Sequence, residues 1–299
     1  MSSSSDSTSN CKCLGCHLGI EKSLTNSLKS AWEAGCSCPQ YFFGSPYKIA
    51  RKSFTKADID SANILLKSTG QQVFTHLPYT FNLAGLATEK RLAWDGDDEL
   101  DARMRQILDS ISSETKILGQ LNCEKSGSVI HMGSFPHTQK GLDAIVKSID
   151  QIDFSGSAPL ILETMVGTGS VLGKTFEQLA YVRNKTSNKD HIKFCVDTCH
   201  IFAEGLYDLQ SEASVDKCFE AIDRELGREN LMLFHLNDSK DKFGAKKDRH
   251  QYIGQGEIWS PNIKPFLYFA KRAIDWNIPL VLETDSSDIP VVREFYKNL

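Results

Sequence analysis

The stretch Val215-Asp-Lys-Cys-Phe-Glu-Ala-Ile-Asp-Arg-Glu-Leu-Gly-Arg-Glu-Asn-Leu-Met-Leu-Phe-His-Leu236 carries two periodicities in succession. Val215, Phe219, Ile222 and Leu226 recur at helical spacing and paint one face of a helix, and Gly227 supplies its stop. Residues 231–236 then run apolar almost throughout, as a parallel strand buried on both faces does. The same alternation repeats outward from here. Apolar runs at 14–20, 41–44, 73–77, 128–132, 159–163, 192–196 and 278–282 bring the number to eight. Between them lie helical patterns such as Leu100, Met104, Ile107, Leu108 and Ile111. Strand-then-helix alternation predicts an α/β chain with a parallel sheet, and eight units predict a (β/α)8 TIM barrel rather than an open sheet. No Gly-x-Gly-x-x-Gly opens a helix, which argues against a dinucleotide fold. Tight-turn chemistry alone explains Gly167-Thr-Gly169-Ser170 after the fifth run.

At 299 residues, with 40% hydrophobic and 24% charged, the chain suits a globular protein and excludes disordered and fibrous classes. Residues 1–12 read as a Ser-rich disordered tail, and 13–299 as a single barrel domain. The mean hydropathy is −0.30, and no apolar run approaches the roughly 20 residues that cross a bilayer. The opening Met-Ser-Ser-Ser-Ser-Asp lacks the basic and apolar regions of a secretion signal, so the expectation is a soluble, intracellular protein, nuclear or cytoplasmic. Nine cysteines, among them Cys11, Cys13, Cys16, Cys36 and Cys38, then read as reduced, unpaired thiols. Cys11-x-Cys13-x-x-Cys16-His17 lacks the second spaced pair of a zinc site.

A net charge of −4 argues on average against a nucleic-acid partner. Local basic stretches qualify that average: Lys240, Lys242, Lys246, Lys247 and Arg249 form one, and Lys48, Arg51 and Lys52 with Lys56 another. A solvated surface is the better reading of either run taken alone.

Barrel active sites lie at the C-terminal ends of the strands. The third run ends in His76, the fourth in His131 and the fifth in Glu163; the sixth leads to Asp197 with His200 three residues on. The seventh carries His235, the eighth leads to Glu283, and Asp248-x-His250 follows in a loop after the seventh. Singly, each residue is an ordinary hydrogen-bonded histidine or a paired carboxylate. Jointly, four carboxylates on one barrel face demand compensating charge, and few basic residues sit at strand ends. Metal ions supply that charge economically. Imidazole and carboxylate without thiolate suit Zn²⁺, Mn²⁺ or Fe²⁺, and nine candidates exceed what one tetrahedral ion takes. Clustered metals are suited to splitting phosphodiesters.

These residues sit in strings that resemble the endonuclease IV family. Val196-Asp-Thr-Cys-His200 with Gly205-Leu-Tyr-Asp-Leu209 is similar to its sixth-strand signature. So are Phe234-His-Leu-Asn-Asp-Ser-Lys240 with Phe243-Gly244, Asp248-Arg-His-Gln-Tyr-Ile-Gly254-Gln-Gly256, and Ile278-Pro-Leu-Val-Leu-Glu-Thr284. Leu162-Glu-Thr-Met-Val-Gly-Thr-Gly-Ser170 with Leu172-Gly173 matches more loosely. The resemblance implies a (β/α)8 barrel that nicks DNA 5′ of abasic sites with three zinc ions per chain, manganese being an alternative at one site. By motif, His76, His131 and Glu163 would hold the first ion. Glu163 would bridge to the second, completed by Asp197, His235 and Glu283, while His200, Asp248 and His250 would hold the third. Glu163 and Glu283 would also be catalytic, and the products a 3′-hydroxyl and a 5′-deoxyribose phosphate. The implied partner is double-stranded DNA with abasic sites or blocked 3′ ends, bound by a monomer without a membrane.

Four positions depart from the family pattern. Thr164 stands where Asn is common and Thr168 where Gln is common. Among implied DNA contacts, Tyr79 fits the family's inserted tyrosine, but Thr80 replaces a larger apolar residue and Tyr47 an arginine. Lys246, Lys247 and Arg249 complete that set. The strongest rival is a one-metal sugar isomerase or epimerase, for which Glu163, Asp197, His235 and Glu283 alone suffice. The other five ligand-type residues weigh against it. A catalytically dead lesion binder is the second rival, disfavoured because all nine positions are filled.

Overall fold

The computed structural model describes residues 14–85 and 102–296. The tail 1–12, Cys11, Cys13 and Leu100 lie outside the described residues. Eight parallel strands close a barrel: β1 (Leu14–Leu18), β2 (Gln40–Tyr41), β3 (Val73–His76), β4 (Ser126–Ile130), β5 (Leu160–Glu163), β6 (Ile192–Asp197), β7 (Leu231–His235) and, last in sequence, β10 (Leu280–Leu282). β10 pairs with both β7 and β1, which joins the two ends of the sheet. Two short strands, β8 (Asp238–Ser239) and β9 (His250–Gln251), form a separate antiparallel pair above the seventh barrel strand.

The helices form where the apolar spacing places them. α1 spans Leu24–Glu33, α2 Lys56–Thr69, α3 Ala102–Leu118, α4 Thr138–Ile149 and α5 Phe176–Lys185. The short α6 (Thr198–Ala203), α7 (Glu212–Glu225), α8 (Lys264–Asp275) and α9 (Asp288–Tyr296) follow. In α7 the Ser211 hydroxyl caps the N-terminus, Val215, Phe219 and Ile222 are buried, and Leu226 follows as the C-cap. Gly227 adopts φ +76°, the conformation a side chain resists and the reason the helix stops there. α3 buries Met104, Ile107, Leu108 and Ile111 as their spacing predicts.

Alternation along each strand divides the core in two. One set of residues packs outward beneath the helices. The other fills the barrel interior with Cys38, Phe74, Val129, Ile161, Cys195, Leu233 and Val281. Gly15 completes that level because a Cβ there would lie 1.8 Å from the Cys38 carbonyl oxygen. Side chains two residues on share a face. One step above this apolar plug stand His17, Gln40, His76, His131, Glu163, Asp197, His235 and Glu283, one from each strand or its C-terminal edge. The burial of that polar ring sets the chemistry of the barrel mouth.

The cysteines among the described residues are free thiols. Cys16 packs in the outer core while its neighbour His17 faces the interior, so the two cannot share a metal. No helix among the described residues is long and apolar enough to cross a membrane.

Candidate metal centre

All nine residues singled out from the sequence meet at the C-terminal mouth. Glu163 is the hub and is fully buried. Its Oε2 lies 3.1 Å from His131 Nε2 and 3.3 Å from His76 Nε2, and its Oε1 2.8 Å from His235 Nδ1. His76, His131 and Glu163 form one group able to hold an ion, and Glu163, Asp197, His235 and Glu283 a second. On the far side, one Asp248 oxygen lies 3.2 Å from His200 Nε2 and 3.1 Å from His250 Nε2, and Asp197 Oδ2 lies 3.5 Å from His250 Nε2. A mouth cavity of about 290 Å³ opens over the cluster, lined by Tyr79, His131, Met165, His200, Asp248, His250 and Glu283.

Local folding explains why these side chains are held. Asp197 caps α6 by accepting the His200 backbone N–H at 2.9 Å, which fixes the ligand-like pair three residues apart. His200 Nδ1 donates to the Thr164 carbonyl at 2.7 Å, and His76 Nδ1 to the Leu77 carbonyl at 2.7 Å. Each bond leaves Nε2 facing the cluster, the arrangement by which backbone acceptors set the tautomer of metal-binding histidines. Thr164 Oγ1 accepts the Asp197 N–H at 2.9 Å, so threonine at this position still braces the site. His250 opens β9, and Asp248 lies in the loop that leads to it from β8. Buried Asp238 anchors the β8–β9 pair by accepting N–H groups from Gly254, Gly256 and Ile258.

Two supporting residues, Asn237 and Gln40, carry no signal in the sequence, and His17 stands there only as the end of a cysteine string. Asn237 donates to Asp197 Oδ2 at 2.7 Å and Glu283 Oε2 at 3.2 Å, and accepts the Glu283 N–H at 3.0 Å. Gln40 joins His235, Glu283 and His17. His17 stacks on Phe42 with ring centroids 4.3 Å apart. Neutral amides carry no charge signature. The only available hint was that β1 and β2 alone ended without an assigned ligand.

The electrostatics are those of a cluster short of positive charge. Burial pushes the Glu163 carboxyl up, but the imidazoles of His235 and His131 outweigh it and hold it well below its ordinary range. Glu283 behaves likewise through His235 and His17. Asp197 is pushed up, by burial first, despite His200 and His250. Burial would lower His200, yet Asp197 and Asp248 raise it well above the usual histidine value; His235 and His250 are raised too. The buried Nε2 atoms of His200 and His250 both face the same Asp248 oxygen, at 3.2 and 3.1 Å, outside good hydrogen-bond geometry. Imidazole nitrogens that converge with carboxylate oxygens without making well-formed hydrogen bonds fit divalent ions of the zinc class.

The implied DNA contacts divide into two groups. Tyr79, 43% exposed, stands over the cluster with its ring centroid 5.2 Å from that of His131. Tyr47, 69% exposed, lies 6.2 Å from Tyr79, and the Tyr79 N–H donates to the Pro46 carbonyl at 3.0 Å, tying their loops together. Thr80 is exposed beside them, and Thr168 is exposed on its glycine-rich loop. The basic residues are engaged within the protein. Lys246 Nζ sits 2.5 Å from Glu204 Oε1, while Arg249 Nε donates to Asp241 at 2.5 Å and Lys247 Nζ lies 3.8 Å from the same carboxylate.

Residues 28–295 match the family model described as a xylose isomerase-like TIM barrel. The chain is 31% identical over 284 residues to "Probable endonuclease 4" of Nitrosopumilus maritimus, covering 92% of this chain and 94% of that one. It is 32% identical over 285 residues to "Probable endonuclease 4" of Trichlorobacter lovleyi, covering 92% and 93%. The crystal structure of endonuclease IV from Thermus thermophilus superposes with a TM-score of 0.76 at 24% identity, covering 96% of this chain and all of that one.

Proposed function

The chain belongs to the endonuclease IV family and is a nuclease-type hydrolase, and on that premise we propose that it hydrolyses the phosphodiester 5′ of abasic sites in double-stranded DNA. The products are a 3′-hydroxyl and a 5′-deoxyribose phosphate, and blocked 3′ ends are further substrates. One observation carries this reading: five imidazoles and four carboxylates cluster at one barrel mouth, where the His200 and His250 Nε2 atoms converge on a single Asp248 oxygen beneath the open cavity.

His76, His131 and Glu163 hold the first of three zinc ions, Glu163, Asp197, His235 and Glu283 the second, and His200, Asp248 and His250 the third, with manganese an alternative at one site. When bound, such ions supply Lewis acidity toward a phosphodiester and bring the acidity of water into the neutral range. Glu163 and Glu283 flank the position of the attacking water and orient it, while the His200, Asp248 and His250 side faces the leaving 3′ oxygen. Tyr79 stacks where the base is missing, with Tyr47 and Thr80 beside it on the rim. Lys246, Lys247 and Arg249 present their remaining donors to the DNA backbone. The functional unit is one monomeric, intracellular barrel domain starting near residue 13.

A one-ion isomerase reading uses only Glu163, Asp197, His235 and Glu283. It leaves the convergence of His200, Asp248 and His250 without a role. The direct test compares zinc-loaded and chelator-stripped protein on a duplex containing one abasic site. The expected result is a nick with a polymerase-extendable 3′ end, lost on stripping and restored by zinc. An unsaturated β-elimination product, or cleavage indifferent to the chelator, overturns the proposal.

A further inference from the structure

β1 and β2 contribute no carboxylate to the mouth, yet the polar ring continues across them through His17 and Gln40, which pair in register. Gln40 is fully buried, and every polar atom of its side chain is committed. Its Oε1 lies 2.9 Å from His235 Nε2. Its Nε2 lies 3.1 Å from Glu283 Oε1 and 3.2 Å from His17 Nδ1.

The three contacts fix one another. A carboxylate accepts and does not donate, so Glu283 Oε1 requires the amide nitrogen of Gln40 to face it; the flipped amide would set two oxygens 3.1 Å apart. With the nitrogen so placed, Oε1 faces His235 Nε2, and an acceptor there demands a proton on that nitrogen. His235 Nδ1 is then the atom turned to Glu163 Oε1 at 2.8 Å and Glu283 Oε2 at 3.3 Å. This is the reverse of His76 and His200, whose Nδ1 atoms bond backbone carbonyls and whose Nε2 atoms face the cluster. His235 has no such carbonyl bond, and the Gln40 amide takes that place.

We propose that Gln40 is the positioning residue of this site, selecting Nδ1 of His235 as the cation-binding atom and aligning the Glu283 carboxylate beside it. This rests on the reading that Glu163, Asp197, His235 and Glu283 hold an ion. Gln40 touches no reacting atom; it acts through two side chains that would.

The test uses the full chain loaded with zinc, or with cadmium-113 in histidine-labelled nitrogen-15 protein, comparing wild type with Gln40→Met and Gln40→Leu. Wild type is expected to show cadmium–nitrogen coupling through Nδ1 of His235 and through Nε2 of His76 and His200. Coupling through Nε2 of His235 overturns the proposal without any variant, so the test survives variants that fail to fold. In Gln40→Met the weakest-held zinc is expected to dissociate about 10–100-fold more readily in chelator competition. On abasic duplex, kcat falls while KM stays. Wild-type zinc retention in both variants overturns the proposal. Weakened zinc in a protein that nicks no abasic DNA leaves Gln40 in place and removes the proposed function; unchanged zinc in one that nicks normally does the opposite.

Discussion

Glu283→Gln keeps the volume of its side chain and removes its charge, and the surroundings determine what that costs. Glu283 Oε1 accepts from Gln40 at 3.1 Å and Oε2 from Asn237 at 3.2 Å. A glutamine offers one oxygen and one NH₂, so whichever way it turns, one of those amides faces another donor. A buried donor left unsatisfied costs about 1–3 kcal/mol. In a chain of this size that lowers the metal-free Tm by roughly 5 °C. The metal-linked loss is separate. A ligand at a hundred times its Kd adds about 2.7 kcal/mol when only the folded chain binds it. The variant, lacking one carboxylate of the Glu163–Asp197–His235–Glu283 group, forfeits that site's share of the zinc-induced rise. Turnover falls by about a hundredfold or more, equivalent to roughly 3 kcal/mol of transition-state stabilisation. Calorimetric melts with and without zinc, beside single-turnover nicking, read all three effects. A variant with the wild-type zinc shift and the wild-type rate would mean that Glu283 neither binds the ion nor serves turnover.

Tyr79→Ala should reduce cleavage of intact abasic duplexes far more than removal of groups from 3′ ends, because unstacking a duplex costs a few kcal/mol that an open end does not require; equal losses, with metal content unchanged, would reduce Tyr79 to a packing residue. Because Asp241 engages both Lys247 and Arg249, Asp241→Asn should free them, tighten DNA binding at low salt and steepen its salt dependence by up to about one unit of slope per new phosphate contact; an unchanged slope would place the DNA path elsewhere. Glu114, buried 3.9 Å from Arg51, is pushed by burial to about 7 from 4.5. The unfolded chain therefore releases that proton first, so stability is full below pH 4.5 and falls as pH rises toward 7, by an amount on the order of 3 kcal/mol. Glu114→Gln should flatten that part of the urea-midpoint profile, and an identical profile would contradict the assignment.

The barrel was legible because its strands are apolar almost throughout and its helices keep one apolar stripe, so two periods alternate visibly in residues 215–236. The ligand-type residues were legible for a related reason. Ionisable groups at the ends of apolar strands are costly to bury, and their positions sit at a fixed step from the plug residues, as Ile161 to Glu163 and Leu233 to His235 show. The supporting shell was not legible. Gln40, Asn237 and Thr164 act through hydrogen-bond direction, and a polar neutral residue in a strand or turn looks the same whether or not it orients a ligand. The β8–β9 pair that carries His250 read as a plain loop, since two-residue strands leave no period. The basic loop misled in another way. Lys246 pairs with Glu204, 42 residues away, and charge patterning along the chain cannot see a partner so distant.

Nine ligand-type side chains at one barrel mouth suit a multi-metal hydrolase, whereas a one-metal isomerase would use four of them. Native mass spectrometry of the zinc-loaded chain, with ions counted per molecule, separates the two. Three ions are expected in the wild type and two in His250→Ala, whose lost imidazole faces Asp248 at 3.1 Å. Saturation of the wild type with one ion, held equally well by His250→Ala, would leave only the isomerase reading.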